Sequence, residues 1–398
     1  MKNTWRFTGN ELKYLREVID SGFGSSTSGS MNNRFEQAFA EKVGVKYAVT
    51  YNSGTGTLQA ALYALGVGYG DEVIIPPLTV ISNFDVVISQ NAIPVFADVD
   101  YETFNMDPKD IERKITSRTK AIMPVPLYGL PCDWDAIMAI SRKHNIPVIN
   151  DAAQAHMSKY KGRDHGQICH ITSYSLENSK HITTGDGGIV VTDNEEWATK
   201  MRKFGSLGYA SLPAADGRIR RAKDIFQDPK HKRHDAYGYN FRMPEVAAAL
   251  GLGQIERVDW FIDMRVKIAR MYLDVMKECD YLVPQKVPSD CVNTYYTVGA
   301  RYERTDVSWY DFRSKYMDFG GDGVYAAWAL IYDETLFTSN AWRKHCPPLY
   351  DKLDYERPIC PVADRLQPKL MQFVNNYGGV DEAAPKVEAL LKTIRHFK

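Results

Sequence analysis

The sequence predicts an α/β protein: a large, doubly wound, mostly parallel sheet domain followed by a smaller C-terminal α/β domain. Three observations predict it. Short β-rich runs alternate with helix-like stretches between residues 46 and 192, which is the pattern of crossover connections in a parallel sheet. The runs are apolar at consecutive positions, as strands covered on both faces by helices require. The pattern breaks after Gly205 and resumes in another form, and 398 residues is long for a single domain.

Taken in order, Met1-Lys2-Asn3-Thr4-Trp5-Arg6 lead into a polar, charged helix pattern. The expected strands are Tyr47–Thr50, Val73–Ile75, Pro94–Ala97, Ala121–Val125, Pro147–Asn150 and Gly188–Thr192. Between them, Thr57–Leu65, Asn83–Gln90, Pro108–Lys114 and Trp134–His144 are each long enough for two or three helical turns. Residues 208–236 are polar, rich in Asp and Arg, and carry neither period. A helix is expected from Pro244 through Ile262, with proline well placed at its first turn. Further on, Tyr295–Arg301 reads as a strand and Asp381–Phe397 as an amphipathic terminal helix. The expected division is 1–255, including the charged flap 208–236, and 256–398. There is no internal repeat and no low-complexity tract.

Composition narrows the function. Lys plus Arg number 49 and Asp plus Glu number 49, so the chain lacks the net positive charge on which general nucleic-acid affinity depends. With 44% apolar and 25% charged residues it is neither a disordered chain, a collagen nor a coiled coil. No apolar run approaches the roughly 20 residues of a membrane span, and no apolar segment follows the first residues as in a signal peptide. The six cysteines are scattered without a C-x-x-C pair, which fits free thiols in a reducing compartment. A cytoplasmic enzyme or binding protein is expected, with no nucleic-acid and no membrane partner.

Three segments fall at strand ends, where open α/β sheets place their ligands. Asn52-Ser53-Gly54-Thr55-Gly56-Thr57 joins a strand to a helix, and its glycines and helix N-terminus make a phosphate cradle. Asn150-Asp151-Ala152-Ala153-Gln154-Ala155-His156 sets an acid at the end of an apolar strand, where a carboxylate holds a proton on a heterocyclic nitrogen. Tyr174-Ser175-Leu176-Glu177-Asn178-Ser179-Lys180-His181, with Thr184-Gly185-Asp186-Gly187-Gly188 after it, offers a lysine suited to Schiff-base chemistry. Each alone has a plainer reading: a capped helix, a capping Asp, a solvated Lys. Together they supply a phosphate cradle, an acid for a ring nitrogen and an amine for an aldehyde, which is what pyridoxal phosphate needs.

These motifs resemble the DegT/StrS-type sugar aminotransferases of pyridoxal-phosphate fold type I. The matching stretches are N-S-G-T-G-T-L, G-D-E-V-I-I-P-P-L-T, P-V-F-A-D-V-D, D-A-A-Q-A-H, Y-S-L-E-N-S-K, G-D-G-G and G-Y-N-F-R-M, in family order from about residue 22 to 260. The resemblance implies that Lys180 forms the cofactor aldimine and moves protons, and that Asp151 keeps the pyridine nitrogen protonated. It implies that Gln154 bonds the ring hydroxyl, that Ala153 and Val80 pack on the ring, and that Thr55, Gly56 and Ser175 bind the phosphate. Asn240 would reach the phosphate of the other subunit, so that a homodimer shares its active sites. Substrate contacts are expected from Tyr128, His181, Arg221 and Tyr325. The reaction implied is ping-pong transfer of an amino group from L-glutamate or L-glutamine to a keto-sugar, most often nucleotide-linked. A cyclitol ketone or small phosphorylated ketone is the alternative acceptor.

The chain departs from the family pattern at Val80, where an aromatic residue is usual, and at Pro126, where a His is usual. A few relatives replace the lysine with His and run a dehydration. Counting from Ser175 and from Gly185 puts Lys180, not His181, in the cofactor-linking position, which favours transamination. His231 and His234 lack a neighbouring Cys or carboxylate cluster, so a solvated basic loop is expected and no metal. The cations of 208–236, among them Arg218, Arg220, Arg221, Lys223, Lys230, Lys232 and Arg233, read either as a flap for a substrate phosphate or as a mobile charged loop.

Overall fold

The computed structural model describes residues 4–219, 222–354 and 360–398. Seven strands form the main sheet: β1 (Tyr47–Tyr51), β2 (Glu72–Ile75), β3 (Ile93–Phe96), β4 (Thr119–Ile122), β5 (Ile149–Asp151), β6 (Ile171–Ser175) and β7 (Gly188–Thr192). Their order is β3-β2-β4-β5-β6-β7-β1, with β4 meeting the chain just ahead of β5 through a single Ile122–Val148 bridge. Only β7 runs against the rest, pairing antiparallel with both β6 and β1. The α/β class and the mostly parallel sheet are therefore as expected. The expectation missed β6, because Ile-Thr-Ser-Tyr-Ser reads as polar although all five residues are buried.

The helix Gly54–Ala64 lies between the sheet and helix Glu195–Gly205 and buries Leu58, Ala60, Ala61, Leu62 and Ala64. Its small residues permit that close approach. At the β1 edge, Arg202 binds Glu36 through both guanidinium nitrogens, at 3.0 and 2.8 Å. Both side chains are 5% exposed, so removing one partner would cost about 3–5 kcal/mol. The helix expected from Pro244 is two helices, Glu245–Ile255 and Val258–Met276, broken at Glu256-Arg257. Among the described residues no helix is long and apolar enough to cross a membrane.

A second, antiparallel sheet has the order β8-β9-β11-β10, built from β8 (Leu282–Pro284), β9 (Val298–Tyr302), β10 (Val324–Ala326) and β11 (Leu370–Phe373). Helices Val258–Met276, Trp309–Asp318 and Val380–His396 cover it around a core that includes Tyr272, Phe312, Tyr316 and Leu390. Chain between β10 and β11 leaves this layer: Leu330, Tyr332, Trp342 and Tyr350 pack with Phe84 and Phe96 of the first core. That excursion carries Trp328 to the rim of the main sheet.

Candidate active site

Because all strands of the main sheet except β7 point one way, the segments after β1, β2, β4, β5 and β6 converge on one edge. They surround a cavity of about 320 Å³ whose lining includes Gly54, Thr55, Val80, Asp151, Gln154 and Lys180. Three sequence-distant motifs are thus brought together by strand direction alone.

The cradle forms where β1 turns into its helix. Ser53 caps the helix by accepting the Gly56 N–H at 3.0 Å, so Gly56 is spent inside the helix and does not line the cavity. Gly54 and Thr55 do line it, at the positive end of an eleven-residue helix. Gly54 lies so close to Ser175 that an added Cβ would stand 2.9 Å from the Ser175 Cβ. Ser175 lines the same end of the cavity.

Asp151 is 2% exposed and accepts the Ala153 N–H at 3.1 Å. Burial raises its pKa, while the Ala153 N–H, the Asn83 carboxamide and the Lys180 charge oppose the rise. The Thr79 hydroxyl donates to Asn83 Oδ1 at 3.1 Å, which turns the Asn83 amide nitrogen toward use as a donor. Ala153 and Val80 line the cavity with Asp151. Gln154 accepts the Tyr128 N–H on Oε1 at 2.9 Å, which fixes its carboxamide and leaves the amide nitrogen to donate.

Lys180 is buried and lines the cavity, with Nζ 4.6 Å from the centroid of the Tyr296 ring. The Ser179 hydroxyl donates to Glu177 Oε2 at 2.5 Å. Ser179 Oγ therefore accepts from the Tyr296 hydroxyl, 2.8 Å away. Glu177, Ser179, Tyr296 and Trp328 all line the cavity and were missed from sequence. Tyr296 arrives by a turn-to-loop contact: its N–H donates to Tyr128 O at 3.0 Å, and the Thr294 N–H donates to Gly129 O at 3.2 Å. Gly129 has φ 103° and an added Cβ would lie 2.6 Å from the Tyr295 nitrogen, so this contact requires glycine.

The remaining expected residues do not join the cavity. The Tyr128 side chain is buried beside Phe104 and Gly299; only its backbone reaches Gln154. His181 is buried, with Nε2 3.1 Å from Thr294 O, and burial together with the Arg265 charge holds its pKa well below the usual value. Tyr325 is 60% exposed on β10. Asn240 is exposed on the surface and bridges to Ser206. Arg221, like Arg220, lies outside the described residues. In the flap, Arg218 pairs with Asp216 at 3.0 Å, Arg233 donates to Phe226 O at 2.5 Å, and His234 bonds Leu207 O at 2.8 Å. Lys230 and Lys232 are exposed. No group of three or more His, Cys, Asp or Glu among the described residues is arranged to hold a metal ion.

Comparison with known proteins assigns the chain to a family. The model of the DegT/DnrJ/EryC1/StrS aminotransferase family matches residues 6–312. The chain belongs to that family. It is 40% identical over 295 residues to the GDP-perosamine synthase of Escherichia coli O157:H7, covering 73% of this chain and 75% of that protein. The crystal structure of an aminotransferase from Psychrobacter cryohalolentis superposes with a TM-score of 0.86 and 32% identity over 98% of each chain. S. venezuelae DesV, solved in complex with a ketimine intermediate, superposes with a TM-score of 0.81 and 26% identity over 97% of this chain and 94% of its own.

The protein is a pyridoxal-phosphate-dependent aminotransferase with the fold type I architecture. The residues present fit the cofactor. Asp151 makes no ion pair among the described residues, and the N–H groups that reach it come from neutral amides; a carboxylate buried this deeply is better stabilised by a charged N–H partner. A protonated ring nitrogen supplies one.

Proposed function

We propose that this enzyme transfers an amino group from L-glutamate or L-glutamine to a nucleotide-linked keto-sugar in a ping-pong cycle. The observation that carries the reading is the convergence of Lys180, Asp151 and the Gly54-Thr55 helix end on one cavity. When bound, pyridoxal phosphate supplies an electron sink for the carbon that loses its proton. Lys180 attaches the cofactor and carries the proton between substrate and cofactor carbons. Asp151 holds the proton on the ring nitrogen, and Gln154 donates to the ring hydroxyl. Ala153 and Val80 pack on the ring, while Gly54, Thr55 and Ser175 hold the phosphate, Gly56 serving as part of the helix beneath them. His181, buried away from the cavity, is not placed to replace Lys180, which favours amino transfer over dehydration.

The nucleotide-linked acceptor is supported by the likeness to GDP-perosamine synthase. Trp328, at the rim and 47% exposed, supplies an aromatic face on the substrate side. The enzyme works as a cytoplasmic homodimer in which the partner subunit's Asn240 completes each phosphate site; the exposed Tyr237 and Tyr239 beside it are anchors of the kind enriched at interfaces. Residues 1–255 and 256–398 are its two domains. Running the reaction in reverse tests the acceptor: nucleotide-linked amino sugars are offered with 2-oxoglutarate and glutamate formation is followed. GDP-linked amino sugars, GDP-perosamine among them, should turn over fastest. Turnover confined to amines without a nucleotide would overturn the assignment in favour of a cyclitol or small phosphorylated ketone.

A further inference from the structure

Two arginines from distant parts of the chain meet at the loop that bears Lys180. Arg6 lies in the turn Thr4–Phe7 and Arg265 in helix Val258–Met276. They are 2% and 3% exposed. Arg6 donates from Nη2 to Lys180 O at 2.6 Å and to His181 O at 3.4 Å, and from Nη1 to Asn178 O. Arg265 donates from Nη2 to Ser179 O at 2.9 Å and Lys180 O at 3.3 Å. From Nη1 it reaches Tyr296 O at 2.7 Å and Asn375 Oδ1 at 3.3 Å.

A buried guanidinium is normally paired with a carboxylate, because desolvating the charge is costly. Here neither has a carboxylate within ion-pair distance among the described residues. Burial lowers both, Arg6 to about 10 and Arg265 to about 9; the Arg6 charge lowers Arg265 further, while Glu177 acts to raise Arg6. What the two charges gain in return is concentrated on four consecutive carbonyls, 178–181, in a loop that belongs to no helix or strand. Arg265 also holds the carbonyl of Tyr296, whose ring lies 4.6 Å from Lys180 Nζ. One planar fork therefore sets the lysine backbone and the ring beneath its amine together.

We infer that Arg6 and Arg265 are positioning residues that lock the Lys180 peptide, so that the amine is delivered to the cofactor in one orientation; this rests on the role proposed above for Lys180. A lysine that must attach a cofactor and then shuttle protons needs sub-ångström placement, which an unsupported loop does not give.

A double-mutant cycle separates this role from general support of the fold. The pyridoxal phosphate dissociation constant is measured for wild type, Arg265→Met, Lys180→Ala and the Lys180→Ala/Arg265→Met double variant. In parallel, borohydride trapping gives the rate at which Lys180 takes up cofactor. Arg265→Met should weaken binding and slow trapping by about tenfold, with Arg265→Lys between it and wild type. On the Lys180→Ala background the same change should leave the dissociation constant within about twofold of its starting value. An equal loss on both backgrounds, or no loss with Lys180 present, overturns the inference. If Arg265→Met does not fold, Arg265→Lys and Arg6→Lys run the same cycle with the same criteria. If wild type itself takes no label at Lys180, the reading of the site falls and this inference falls with it.

Discussion

Lowering the pH from 7.5 to 5.5 should destabilise the cofactor-free protein by about 2 kcal/mol. His156, His165 and His181 are each at most 1% exposed. Burial, helped by the Lys180 charge, pushes His156 down to about 3, and burial pushes His165 to about 3. His181 is held well below its usual value by burial and by Arg265. Unfolded, each titrates near 6.5. A depressed native pKa means that the stability these groups contribute is complete above the unfolded value and is lost as the pH falls. At pH 5.5 His156 and His165 have each lost about 1.4 kcal/mol, about 3 kcal/mol for the pair, and His181 loses stability in the same sense. Asp164 works in the opposite sense: burial raises it to about 6, so its native form gains a proton and returns about 0.8 kcal/mol. Asp151, also raised by burial, acts in the same sense as Asp164. Calorimetry at the two pH values should show Tm lower by about 2 °C at pH 5.5. His156→Phe should shrink that gap by about half. An equal or higher Tm at pH 5.5 would show that these histidines are not buried in the neutral form.

Asp151→Asn should slow the half-reaction with glutamate by at least about 100-fold without lowering Tm, since it removes a buried charge; stopped-flow spectra measure this, and a wild-type rate would place the cofactor elsewhere. Val80→Phe should leave cofactor affinity unchanged or tighter while raising KM for the acceptor, and a large loss of affinity would show that position 80 does not face the ring. Mixing Lys180→Ala chains with Asn240→Ala chains under subunit exchange should restore activity, because one site of each mixed dimer is then intact. No recovery despite proven exchange would mean that each site is built within one chain.

Much of this site was legible because its chemistry sits where strands end. Gly54-Thr55, Asp151 and Ser175-to-Lys180 each follow a strand, and a parallel sheet delivers such ends to one edge whatever their separation in sequence. The pieces contributed from outside that sheet were not legible. Tyr296 reaches the cavity only because Gly129, in a left-handed turn, lets the 294–296 loop dock on the Tyr128 carbonyl. Nothing local in Asn-Thr-Tyr-Tyr-Thr announces it. Trp328 arrives on a segment that leaves one sheet to pack on another core. Glu177 and Ser179 lie inside the Tyr174–Lys180 motif, and their polarity next to Lys180 is the signal in the sequence that marks them. Tyr128 shows the opposite error: a residue at a strand end was expected to face the substrate, but its side chain turns inward and packs on Gly299. Arg6 and Arg265 carry no sequence signature, since their partners are backbone carbonyls, which every residue has.

In the proposed reaction Lys180 is the amine that holds the cofactor and is released from it when the amino donor reacts. Borohydride reduction of the cofactor-loaded enzyme, followed by proteolysis and mass spectrometry, tests it most directly. The expected result is a pyridoxyl-phosphate label on the peptide containing Lys180, and its loss when L-glutamate is added before the reductant. A label on any other lysine, or a Lys180 label that glutamate does not diminish, would contradict it.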